Sequence, residues 1–176
     1  QLSKRLQFLL KNLLRMVSKE FLKVGDVLVC RGKLWISKAI MKITKGDYSH
    51  TALYAETWGQ GGVIEAQKNG VNFKLWEVWR EKWGYDYIVY RCVKPFDEKE
   101  LMLKAFSKSG ETKYDFFTFF RRAFGNRKKR DEQTETEKMI CSEFTAWVHN
   151  LPEAYDMTTS EQAKYFESAR DWIKIN

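Results

Sequence analysis

The texture of this chain switches near Pro95, and that switch restricts the fold more than any other feature. Between Gly25 and Cys92, apolar and β-branched residues come in short runs broken by Gly, Asn and Asp, the pattern of strands joined by tight turns. "GDVLVCR", "SHTALYAE", "GGVIEAQ", "GVNFKL" and "YDYIVYRC" read as strands, with "LWISKAIMKIT" as a helix after the first. Beyond Pro95 the spacing turns helical. "DEKELMLKAFSKSG" has an acidic start and a terminal glycine, "YDFFTFFRRAF" follows, and "KMICSEFTAWVHNL" makes a third segment. Strands first and helices afterwards predict an α+β fold: a small, mostly antiparallel sheet with helices packed on it from the second half and the N-terminus.

A chain of 176 residues that is 44% hydrophobic supports one core rather than two. The expected organisation is an N-terminal helix over residues 1–23 and a single domain over residues 24–176. In the first segment Leu2, Leu6, Leu9, Leu13, Val17 and Phe21 share one helical face, with Lys4, Lys11, Arg15 and Lys19 on the other. Such a helix either docks on the core or lies on an anionic membrane surface. A second basic block, "RRAFGNRKKR" at 121–130, adds to a formal net charge of +8. Charge of that sign suits an acidic partner. Nucleic acid is disfavoured because no recognition motif accompanies it, and Phe116, Phe117, Phe119 and Phe120 have core-like helical spacing. Apolar stretches are interrupted by Lys or Arg well before they reach the length of a membrane span. The chain begins at Gln1, so a targeting segment is expected to be unreadable and the compartment stays open. Cys30, Cys92 and Cys141 are odd in number and lack C-x-x-C spacing, which argues against a disulfide framework or a zinc knuckle and leaves at least one free thiol.

Chemistry is concentrated in few residues. Cys141 follows a polar stretch and opens an apolar-periodic segment, which places it near a helix N-terminus where aligned N–H groups favour a thiolate. Thr134 and Glu137 have capping-box spacing that would start the helix a turn earlier, but such spacing arises easily in a charged run. A nucleophilic thiol needs an imidazole. His149 lies eight residues along the same helix, roughly 12 Å away, so the partner must be His50, brought from another element. Glu65 on a following strand is the acceptor for the ring's second nitrogen, with Gln67 on the same face as the reserve candidate. A metal site built from His50, Glu65 and a cysteine lacks a second spaced ligand pair.

Six spaced segments carry a resemblance: "GDVLV", "ISKAIMKITKGDYSHTALY", "VIEAQKNGV", "YDYIVYR", "YDFFTFF" and "MICSEF", in that order. The arrangement over residues 24–150 resembles the YiiX-like branch of the NlpC superfamily, circularly permuted papain-fold cysteine hydrolases related to the lecithin retinol acyltransferase group. The resemblance implies Cys141 as nucleophile, His50 as general base, Glu65 as the residue orienting the ring, and Tyr114 with its hydroxyl near the oxyanion site. It implies acyl transfer from an amide or ester with no metal or organic cofactor. Two enzymatic expectations follow: an amidase or peptidase of the cysteine type, or a lipid-directed thioesterase or acyltransferase that uses helix 1–23 at a membrane. A non-catalytic binding module on the same scaffold is the third.

Overall fold

Alternating apolar runs in the first half pair into one antiparallel sheet because each strand has only one way to bury both its faces. The computed structural model describes Ser3 and residues 21–83, 86–110, 113–114 and 138–175. Most of the expected N-terminal helix, the "YDFFTFF" helix and the basic block at 121–130 lie outside the described residues.

Strand β1 (Val27–Arg31) leads into α1 (Trp35–Thr44), then β2 (His50–Thr57), β3 (Gln60–Gln67) and β4 (Gly70–Leu75). Helix α2 (Trp76–Trp83), β5 (Asp86–Cys92) and α3 (Glu98–Ser107) follow. Short strands β6 (Lys113–Tyr114) and β7 (Lys138–Met139) precede α4 (Cys141–Val148), a 3-10 turn at Pro152–Ala154, α5 (Thr159–Ser168) and β8 (Trp172–Lys174). The main sheet has six strands in the order β4-β3-β2-β1-β5-β8, all antiparallel. Strands β6 and β7 form a separate parallel pair.

Both faces of the sheet are covered. Val27, Val29, Leu53, Ile64 and Tyr90 face one cluster with Phe144 and Val148 of α4 and Phe166 of α5. Leu28, Cys30, Ala52, Tyr54 and Val63 face the other with Trp76 and Trp79 of α2. Trp76 and Trp79 stack at 5.7 Å, and Tyr87 meets each ring edge-on. That aromatic slab is the lid of the second core, and burying rings of this size dominates its stabilisation.

The α+β expectation holds, including every strand read from the first half. Helix α4 starts at Cys141, as its sequence suggests, and the residues just before it, Lys138 and Met139, are extended and pair with Lys113 and Tyr114. Ile140 has no polar side chain to cap with, so Glu143 supplies the contact, accepting from the Ile140 backbone N–H at 2.9 Å. Cys141 is therefore the first helical residue. Among the described residues, no helix is long and apolar enough to cross a membrane.

Candidate active site

His50 opens β2 at the end of the sheet and is 8% exposed. It lies opposite Cys30 of β1. Glu65 sits on β3 one residue past Ile64, which pairs with Leu53, so the His50 and Glu65 side chains share a face as a diagonal cross-strand pair. They meet at 2.7 Å, Nε2 to Oε2. A carboxylate acceptor fixes the tautomer: Nε2 carries the proton donated to Glu65, and exchange with any other group takes place at Nδ1.

Glu65 is completely buried, and an isolated buried carboxylate would be costly. It is not isolated. Oε2 also accepts from the Trp79 indole N–H at 3.0 Å, while Oε1 accepts from Gln67 Nε2 at 2.6 Å and Lys74 Nζ at 2.8 Å. Burial alone would push the Glu65 carboxyl up, but the hydrogen bond and charge of His50 together with Lys74 outweigh it and bring it down to about 2. Glu65 is thus ionised at any physiological pH and presents a fixed negative charge to the imidazole.

Cys141 approaches the same point from the opposite core, as the first residue of α4. Burial would raise its thiol, yet the charge of His50 and a hydrogen bond to His50 lower it overall, helped by the Thr51 backbone N–H and the Thr159 hydroxyl. Thr159 Oγ1 lies 3.9 Å from Sγ and is the first residue of α5, so two helix N-termini converge on the sulfur. His50 moves the other way: burial opposes its charge, but Cys141 and Glu65 outweigh burial and hold it above the usual histidine range. The arrangement favours a thiolate beside an imidazolium. The other two thiols contrast with it. Burial raises both Cys30 and Cys92.

Gln67, the reserve candidate, touches Glu65 and accepts from Lys74 Nζ at 2.8 Å; it buttresses the carboxylate rather than the ring. Tyr114 is placed by its backbone, opposite Met139 in the parallel pair and so beside the segment that leads into Cys141. His149 terminates α4 at the far end, where its Nε2–H donates to the Gly25 carbonyl at 2.8 Å. A cavity of about 330 Å³ lies at that far end, lined by Phe96, Lys104, His149, Tyr165 and Trp172. Three pairs of its polar groups are engaged with one another: Lys94 with Asp171, Lys104 with Asn150 and Tyr165 with Glu153. Volume alone would draw attention there, but the charged, converging groups are at the other end of the helix.

Lys74, Trp79 and Thr159 were not legible as members of the site. Thr159 had a signal: Thr158 and Glu161 have capping-box spacing ahead of Ala163 and Phe166, and both halves of the box form. Lys74 and Trp79 had none, because their reach to Glu65 depends on how β4 and α2 fold back over β3.

The six-stranded antiparallel sheet with helices on both faces defines an α+β protein of YiiX-like fold. One solved structure that shares this fold is the metalloprotein YiiX from Escherichia coli O157:H7, described as DUF1105, which superposes with a TM-score of 0.59 over 88% of this chain and 96% of that one at 20% identity. No protein-family model matches the chain, and no curated protein is similar to it in sequence.

Proposed function

We propose that residues 24–176 form a cysteine hydrolase that cleaves an amide bond through a thioester acyl-enzyme. The observation that carries this reading is the buried chain of contacts from Cys141 through His50 to Glu65, in which the thiol is lowered while the other two are raised. In this scheme the Cys141 thiolate attacks the carbonyl carbon, and the π electrons move to oxygen. An N–H donor pair that includes the Cys141 backbone, at the N-terminus of α4, receives that oxyanion. The resemblance adds the Tyr114 hydroxyl at the same position. As the tetrahedral species collapses, the carbon–nitrogen bond breaks and His50 Nδ1 delivers its proton to the departing amine. Water then loses a proton to His50 and attacks the thioester, releasing a carboxylic acid and restoring the thiolate. Glu65 keeps the ring oriented and balances the imidazolium. Membership of the circularly permuted NlpC-type papain fold accounts for the order His, Glu, Cys along the chain, since the chemistry depends on where the elements meet and not on the order in which the chain visits them.

The structural neighbour is called a metalloprotein, so the donors here bear on whether a metal suits this site. They do not suit one. Both Glu65 oxygens are already engaged, one of them by a lysine, and among the described residues no group of three or more His, Cys, Asp and Glu could hold a metal ion. No step is therefore assigned to a metal.

A second reading, a lipid-directed thioesterase or acyltransferase, uses the same acyl-enzyme with another acceptor. The basic amphipathic segment 1–23 supports it, as does the run of exposed apolar residues Leu34, Trp35 and Ile36 next to the site. A binding module is disfavoured, since a scaffold gains nothing from a buried carboxylate wired to a histidine and a lowered thiol.

The test is covalent. Incubation with a panel of p-nitrophenyl acyl esters and acyl-peptide amides, followed by intact mass spectrometry, should reveal one acyl group on Cys141 and none on Cys141→Ala. Amide turnover selects the first reading and transfer to lipid acceptors the second. No adduct from any ester would remove both.

A further inference from the structure

Helix α1 is amphipathic, yet Ser37 is its only buried residue. Leu34, Trp35 and Ile36 are 55%, 79% and 41% exposed, the longest consecutive run of exposed large apolar residues among the described ones. At 100° per residue Trp35, Lys38, Ala39, Lys42 and Ile43 cluster on the side opposite Ser37, with Ile36 at the margin. Lys33 precedes this face and Lys45 ends it, both exposed. No acid lies within α1, and the nearest, Asp47, is already paired with Arg31 at 3.1 Å. A scattered exposed leucine needs no explanation, but a tryptophan flanked by aliphatic residues and framed by unbroken positive charge does.

We infer that α1 is an interfacial docking helix that lays its Trp35 face on an anionic lipid bilayer. The chemistry is complementary on both counts. Indole rings settle at the boundary between headgroups and acyl chains, and lysine stems lie along the apolar layer while their ammonium groups stay with lipid phosphates and carboxylates. A folded protein partner would need a groove for Trp35 and matching acids, whereas a bilayer offers apolar depth and negative charge everywhere along its surface. The helix is also well placed. Gly32, just before it, donates its backbone N–H to Ser49 Oγ at 3.1 Å, and Ser49 adjoins His50. After it, Tyr48 donates its backbone N–H to Ser160 Oγ at 3.0 Å, one residue from Thr159. Both ends of the α1 excursion are thus pinned beside the Cys141–His50 pair, and docking α1 brings that pair to the membrane surface. This inference stands on the exposed face alone and holds whether or not the site is a hydrolase.

Flotation of the full chain with vesicles measures it directly. One set contains phosphatidylcholine only, and the other replaces about one-third of it with phosphatidylserine. The chain should float with the anionic vesicles and release as salt is raised. Trp35→Ala should weaken binding roughly tenfold, and Lys38→Gln with Lys42→Gln roughly thirtyfold. All three positions are exposed, so circular dichroism of the variants should match the parent. The inference is overturned if the parent floats with neither vesicle set, whether because residues 1–23 or a second copy cover α1. It is equally overturned if parent and variants float alike, which would move the contact to residues 1–23, or if phosphatidylserine makes no difference.

Discussion

Glu65 is the residue on which the site's electrostatics depend. Its two oxygens receive four hydrogen bonds, from His50, Trp79, Gln67 and Lys74. Glu65→Gln keeps the shape but replaces a charge with an amide, removing the carboxylate that faces Lys74 and one of the two negative groups that face His50. Breaking a buried pair from one side costs about 3–5 kcal/mol, and the solvent access of Lys74, 20% exposed, places the expected loss at about 3 kcal/mol or below. Urea unfolding of the variant checks that figure. A ring titration of His50 by NMR should at the same time move down toward the ordinary histidine range, since one of its two negative neighbours is gone; an unmoved titration would separate Glu65 from His50. At this scale much was readable beforehand. His50, Glu65 and Cys141 could be placed from strand alternation and a helix start, because those periodicities fix direction. What could not be read was the set of groups holding Glu65, since Lys74 and Trp79 reach it only through the β3–β4 register and the angle of α2.

Among the elements, the β3–β4 hairpin carries the support for the site. Gly62 pairs with Leu75, and a Cβ placed there would lie 2.4 Å from the Lys74 carbonyl oxygen. That neighbour is backbone and has no rotamer by which to move aside. Gly62→Ala should therefore push β4 away from β3, costing about 1–3 kcal/mol and withdrawing Lys74 from Glu65. Thermal melts measure the first effect; the second should appear as a fall in Cys141 reactivity at neutral pH. Elements also show where sequence reading ran short. The five strands of the first half were legible from turn residues and alternation, because each is bounded by Gly, Asn or Asp. Helix α2 was not, since "WEVWREKW" mixes aromatic and charged residues without a clean apolar stripe. Strand β8 has three residues, too few for any periodicity to register.

For the whole molecule, the C-terminal end of α4 carries a response to acid. There, burial brings His149 down to about 4, the Gly25 carbonyl only partly opposing it and Lys104 adding to it. In the unfolded chain the same ring binds a proton near pH 6.5. Between those values the unfolded state holds more protons, so stability falls as pH drops from about 6.5 and the loss is complete below about 4. The contribution is about 3 kcal/mol. Parent and His149→Gln, compared by urea midpoints across that window, should converge as pH falls; parallel curves would remove His149 from the acid response. At the N-terminal end, the arrangement that favours a thiolate beside an imidazolium joins His50 from the strand half of the chain to Cys141 from the helical half. The rate of Cys141 alkylation by iodoacetamide against pH reports on that pair, with modification mapped by mass spectrometry in the parent and in His50→Ala. Cys141 should react well below the free-thiol value of about 8.5, and His50→Ala should move the profile upward. A Cys141 that reacts no faster than buried Cys30 and ignores the loss of His50 would contradict the pairing.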